Sequence, residues 1–395
     1  MKIDNDQVRR LAALELNAAT YSGALNADEW DGATLPRRGT PIYDINGTVL
    51  FHRFAVKNGR AGAGFVDVAG HEALGAPLLA ASWGAPWNQA ELKKAAIAAV
   101  TKGKRRLKFT RTRFVAYSYP KLALQLLNGK EEVAMVELFT WKRVPAPPTG
   151  KKPRKPLEPE NFERWSLLDE MPRSKQLSRS RNFQKRLEVW DKAEKRKANR
   201  KFLYDRVSLA AFKSFVIKNP FVDTWEVHYS KRSTDHHVCF ELRGQETNVW
   251  CVGASTQMLL DFYRYEYTQT RLAVELGLGT AANPNGLPYS RVGDVVDVVE
   301  AMSSNALDCT MVVNPGWTTF RNELKQNRPL ISFVPGHSRT VVGYTRTRLL
   351  LPSVLAFRGL LVFDPWPPNA GVITRWENFD TQTYQYAYTS AVTLA

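Results

Sequence analysis

A side-chain amide, a thiol, an imidazole and a carboxylate follow one another in the C-terminal part of the chain, as Gln245, Cys251, His337 and Asp364. Gln245 and Cys251 bracket the stretch QETNVWC, where Cys251 opens a predicted helix. His337 follows Pro335-Gly336 and leads into an apolar strand, and Asp364 ends the next strand within FDPW. These types suit nucleophilic attack on a carbonyl. A thiol becomes a nucleophile when its pKa falls, and a helix N-terminus beside an imidazolium lowers it. A carboxylate on the far side of the imidazole fixes its tautomer and orientation. An amide before the thiol can join the Cys251 backbone N–H in holding a developing oxyanion, and Gln245 is the candidate. His337 is the only histidine after Cys251, so a pair formed wholly within this part must use it. Each residue alone has an ordinary reading: a core thiol, a satisfied histidine, an Asp-Pro turn. The order and settings together carry the chemical reading.

The elements that must position these groups are legible as patterns. A short hairpin is predicted from Asp223, through TWEVHYS and HHVCFEL. A helix follows from about Asn248 to Tyr265, with Ala254, Met258, Leu259 and Phe262 inward. A shorter helix at TQTRLAVEL, a Gly/Pro loop at GLGTAANPNGLP and a helix over 291–303 come next. The strand CTMVV, the helix TTFRNELKQN and four strands (PLISFV, TVVGYTR, LLVFDPW, AYTSAVTL) complete the chain. Helices first and strands afterwards imply an α+β fold of two subdomains with a cleft between them.

Upstream, residues 6–19 have helical spacing, and Asn46-Gly47 is a hairpin signal between short strands. Residues 88–102 predict a helix capped by Asn88, with Leu92, Ala96 and Ala99 inward. KFTRTRFVAYSYP and VAMVELFTWKRV predict two more strands. The Pro/Lys-rich run PAPPTGKKPRKPLEPE marks a boundary, and a basic helix over 173–206 follows, with Phe183, Leu187, Trp190 and Ala193 on one face. The expected organisation is an α+β N-terminal domain over 1–144, a linker and basic connector over 145–215, and a catalytic-type domain over 216–395.

Composition narrows the class. The chain has 395 residues, 24% of them charged, and no apolar run long enough for a transmembrane helix. Its first residues are charged and amphipathic, unlike a signal peptide, which predicts a cytoplasmic protein or a secreted one whose signal has been removed. Three cysteines exclude a disulfide scaffold. The net charge of +17 lies upstream, since residues 216–395 hold 15 basic and 16 acidic side chains. The basic stretch 151–206 is compatible with nucleic acid or an anionic surface, and equally with a solvated connector. His228, His236, His237 and Cys239 alternate like strand residues pointing to opposite faces, so no metal and no cofactor are expected.

The order glutamine, helix-opening cysteine, histidine before a strand, then Asp-Pro-Trp resembles the papain-like cysteine peptidases, above all their C39-like bacterial branch. WCVGASTQMLLDFYRY resembles that branch's nucleophile helix, and RPLISFVPGHSRTVVGY and LLVFDPW its histidine and aspartate strands. The resemblance covers residues 240–395 and implies a papain-like fold acting on a peptide or protein substrate. It implies Gln245 as oxyanion donor, Cys251 as nucleophile, His337 as base and Asp364 as orienting residue. The plant-type surroundings of the cysteine are absent, and the third residue is Asp rather than Asn. The same residues would serve a deamidase or transglutaminase, and an inactive papain fold with a basic interaction surface is the reading from another class. The segment YDINGTVLFHRFAVKNGRAGAGFVDVAG faintly resembles streptopain-type prodomains, which implies a zymogen whose N-terminal part covers the cleft and whose connector is cleaved; a substrate- or partner-binding domain is the equal alternative for residues 1–144.

Overall fold

The computed structural model describes residues 3–59, 62–84, 87–101, 107–146, 164–196, 204–229, 240–351 and 353–393. The fold is α+β. The N-terminal half holds α1 (Asn5–Tyr21), α2 (Ala27–Trp30), β1 (Thr40–Asp44), β2 (Val49–Asn58), β3 (Gly62–Ala69), β4 (Leu78–Trp83), α3 (Gln89–Thr101), β5 (Arg111–Ser118), β6 (Lys121–Asn128) and β7 (Glu131–Glu137). The connector supplies α4 (Arg173–Arg196) and α5 (Leu209–Phe212). The C-terminal half begins with β8 (Lys218–Glu226), α6 (Cys251–Phe262), α7 (Gln269–Glu275), α8 (Asp294–Met302), β9 (Leu307–Val313) and α9 (Trp317–Lys325). It ends with β10 (Leu330–Val334), β11 (His337–Leu350), β12 (Val354–Asp364), β13 (Val372–Asn378) and β14 (Tyr386–Val392).

Local chemistry explains most element ends. Asp4 caps α1, its carboxylate accepting from the Gln7 N–H at 2.8 Å, and Leu11, Leu14 and Leu16 bury its inner face. Gly47 turns β1 into β2 at φ 89°. Asn88 caps α3, accepting from the Glu91 N–H. Ala96 of α3 is buried as expected, but Ala99 is exposed and Ile97 packs inward instead, because only a narrow stripe of this helix meets the sheet. The helix expected from Asn248 begins at Cys251. The predicted hairpin from Asp223 is not formed by β8, which pairs antiparallel with β11 instead; residues 230–239, its other arm, lie outside the described residues.

The strands of the described residues join one sheet in the order β7-β6-β5-β1-β2-β3-β4-β13-β12-β11-β10-β14-β9, with β8 added onto β11. The two α+β units expected from sequence therefore meet edge to edge. The seam is β4 against β13, where Ala81 pairs Trp376 and Ala80 pairs Glu377. The Asn378 side-chain amide donates across it to the Leu78 carbonyl at 2.6 Å. The core is shared as well: Leu11, Phe51 and Val66 belong to one apolar cluster with Leu349, Phe357 and Trp376.

The connector helix α4 docks on this core through Phe183, Leu187, Trp190 and Ala193, the expected stripe. Glu15 of α1, 1% exposed, receives two bonds from Arg186 and one from the Trp190 indole. Removing Arg186 would strand that carboxylate at a cost of about 3–5 kcal/mol. Arg179 donates to the Gln382 carbonyl and Arg186 to the Ala356 carbonyl, so α4 is tied to both halves. Part of the connector's positive charge is thus consumed by docking. No helix among the described residues is long and apolar enough to cross a membrane.

Candidate active site

Cys251 is the first residue of α6. Trp250 precedes it in a non-helical conformation and is wholly buried, its indole N–H donating to the Leu278 carbonyl at 3.0 Å. No side chain caps this helix end, so its first-turn N–H groups leave a positive field at Cys251.

His337 opens β11, directly after the two-residue turn Pro335-Gly336 that joins β10 to β11. Gly336 sits at φ 70°, and its N–H donates to the Tyr289 hydroxyl at 2.8 Å. A Cβ there would also press on the Trp165 indole at 3.3 Å. Thr340 of β11 pairs Phe363 of β12, so the ladder brings Asp364 alongside the start of β11. The result is a 2.6 Å hydrogen bond between His337 Nε2 and Asp364 Oδ1. The Trp366 N–H donates to the same oxygen at 2.9 Å. His337 Nδ1 is buried and makes no hydrogen bond of ordinary geometry among the described residues, which leaves it for the Cys251 sulfur.

Gln245 is held by the strand end that carries Asp364. Its backbone N–H donates to the Pro365 carbonyl, and its own carbonyl accepts from Asn369. The close approach is possible because residue 244 is glycine; a Cβ there would lie 2.3 Å from the Ala370 nitrogen. Gln269 pins the same loop from α7, accepting from the Glu246 N–H and donating to the Gly244 carbonyl. The Gln245 amide is fully buried and donates to the Thr247 carbonyl at 2.6 Å, so one of its two N–H groups remains for another acceptor.

The charges reinforce one another. Burial disfavours the Cys251 thiolate, but the His337 ring, then Lys121 and the Ser338 backbone N–H, outweigh it and set the pKa below that of an ordinary thiol. Burial likewise opposes charge on His337, yet Asp364 and the Cys251 sulfur raise its pKa. Asp364 is buried too, and His337, Arg339 and the Trp366 N–H hold its pKa below the usual carboxylate value. Arg339, fixed by two bonds to Glu377, stands behind the pair as a compensated charge. The arrangement favours a thiolate and an imidazolium side by side.

The structure thus brings Gln245, Cys251, His337 and Asp364 into one place. It adds residues that sequence reasoning did not name. Lys121, the first residue of β6, lies 2% exposed with its Nζ 4.5 Å from the centroid of the Trp366 ring. Glu137 of β7 accepts from the Phe139 and Thr140 N–H groups beneath it. A lysine heading an apolar run looks like any strand end, so local pattern carried no signal for it. These side chains, with Glu246, Thr247 and Trp366, line a cleft of about 740 Å³ between the two halves. Ala281 and Pro284 of the Gly/Pro loop reach its edge. Cys309 lies elsewhere, buried on β9; of His228, His236, His237 and Cys239, only His228 falls within the described residues.

Residues 238–393 match the Peptidase_C39 like family. No curated protein matches the chain. Among solved structures, a double glycine motif protease from an AMS/PCAT transporter, in complex with the leader peptide, is similar at 14% identity and a TM-score of 0.25. That likeness covers 38% of this chain and 91% of the protease. Through the family match, and as the order of Gln245, Cys251, His337 and Asp364 suggested, residues 238–393 form a C39-like peptidase domain.

Proposed function

We propose that the chain is a cysteine peptidase whose catalytic unit is residues 216–395, with residues 1–144 as an N-terminal unit and 145–215 as connector. Cys251 attacks the scissile carbonyl of a peptide as a thiolate, and the C–S bond forms as the carbonyl electrons move onto oxygen. The second Gln245 N–H and the Cys251 backbone N–H hold that oxyanion. His337 gives its proton to the leaving amine, and collapse leaves an acyl-enzyme. The ring then takes a proton from water, which attacks the thioester and frees Cys251. Asp364 orients the ring and stabilises its charge. The observation that carries this reading is the His337–Asp364 bond at 2.6 Å, made through Nε2, with Nδ1 left for the sulfur.

Cys251 and His337 are each only 4% exposed, and strands of the N-terminal half wall the nearby cleft that Thr247 and Trp366 also line. In this reading short peptides reach the thiol when that wall moves, so the full chain cleaves them slowly rather than not at all. The test is hydrolysis of short fluorogenic peptides by the full chain beside its Cys251→Ala variant. Cleavage that disappears with the thiol, at unchanged fold, is the expected result. Cleavage that survives Cys251→Ala would end the assignment.

A further inference from the structure

The cleft beside the candidate site has a wall that lies outside the matched family. Lys142 and Arg143 line it from the N-terminal half, residues 246–249 and Trp366 from the other. Those latter segments are the ones that hold the site. Residues 246–249 join Gln245 to Cys251, the Thr247 carbonyl accepts from the Gln245 amide, and the Trp366 N–H donates to Asp364. A peptide lying in the cleft therefore follows segments that lead to the thiol. The cleft volume of about 740 Å³ falls within the range of sites that bury most of a bound ligand.

The N-terminal wall is a turn folded around its own carboxylate. Glu137 accepts from the Phe139 and Thr140 N–H groups, and Trp141 reverses the chain at φ 56°. The Glu137 N–H then donates to the Lys142 carbonyl, and the Val144 N–H to the Met135 carbonyl, so the backbone of Lys142 and Arg143 is pinned to β7. Both side chains are exposed, and neither forms an ion pair among the described residues. Arg143 donates one N–H to the Val133 carbonyl and keeps the rest of its guanidinium. Lys121 and Glu137 of this wall are buried, so its exposed charge is positive throughout; the exposed carboxylate of the cleft, Glu246, belongs to the C-terminal side.

We infer that Lys142 and Arg143 are specificity-determining residues that bind an acidic side chain of the substrate peptide, away from the scissile bond. This deepens the peptidase reading and rests on it. The wall that limits access to the thiol is also the wall that reads the substrate. The wider field agrees, since the excess positive charge lies upstream of residue 216 and draws an anionic peptide toward this half.

The experiment is a positional scan of short fluorogenic peptides with the full chain. Each peptide carries one Glu, moved from position to position in an uncharged background, and matched sets carry Gln or Lys there. At one position Glu is expected to raise kcat/KM about fivefold over Gln, through KM, the scale of a partly exposed ion pair. That advantage should fade in about 0.5 M salt. The double variant Lys142→Glu/Arg143→Glu should prefer Lys at the same position, with Lys142→Glu alone read in its place should the double variant not fold. Lys142→Arg should keep the preference for Glu. Equal cleavage of Glu and Gln peptides at every position, or a Glu preference that survives the charge reversal, would overturn the inference. A parent that prefers Lys would overturn it too and make Glu246 the reading residue. Binding is read separately, by fluorescence polarisation of the labelled peptides with the Cys251→Ala chain. Glu-dependent binding that charge reversal abolishes, in a parent that cleaves nothing, keeps this inference and removes the peptidase reading. Cleavage that needs Cys251 but ignores charge does the opposite.

Discussion

Cys251 and Cys309 are hidden to the same degree, each 4% exposed, and both belong to one apolar cluster. Their surroundings differ in sign. Around Cys251 stand the α6 N-terminus, His337 and Lys121, and the thiol is shifted toward ionisation. Around Cys309, burial dominates, Glu300 and Asp308 add negative charge, and the thiol is pushed up to about 11 despite a hydrogen bond with Ser390. Burial alone would make the two alike. What separates the candidate nucleophile from a packing residue here is which charges were brought to it from distant parts of the chain.

The widest separation should appear in alkylation by iodoacetamide near pH 6, followed by mass spectrometry of each cysteine peptide. Cys251 is expected to react at least about 10²-fold faster than Cys309, because only the thiolate reacts. Equal rates would erase the contrast. Next in size is the oxyanion site. Gln245→Ala should lower kcat by on the order of 10²–10³-fold at unchanged fold, the effect of losing one preorganised donor. Unchanged kinetics would strike Gln245 from the site. The smallest effect sharpens the role of Asp364. Activity needs Cys251 ionised and His337 protonated, so it rises through the lowered Cys251 pKa and falls through the raised His337 pKa. Asp364→Asn removes the carboxylate that favours the imidazolium, so the alkaline limb of the pH–rate profile should move to lower pH. An unmoved limb would mean that Asp364 merely orients the ring.

The candidate site was legible because its signals are local: a helix opening at Cys251, a Pro-Gly turn before His337, a strand ending in Asp-Pro. The amphipathic stripes of α1 and α4 were legible for the same reason. Three strands were not read as strands: β4, β6 and β13. β4 and β6 are buried along almost their whole length, so neither shows the alternation that marks a half-exposed strand. β13 gains a partner that nothing local announces, β4, through the Trp376–Ala81 and Glu377–Ala80 pairs. Lys121 was missed with β6, since nothing near it in sequence announces the Trp366 ring it meets in space. Likewise β8 alternates like one arm of a hairpin but satisfies its backbone on β11.

The sheet that runs unbroken through the β4–β13 seam separates two things that a chain usually joins, covalent continuity and cohesion. A protease that cut within residues 145–215 would break the backbone without parting the strands, the shared apolar cluster or the Arg186–Glu15 bridge. The nicked protein would show two bands under denaturing conditions and elute as one particle under native ones, melting in a single transition. Maturation by excision, in which a severed segment simply diffuses away, would first have to pull a sheet apart.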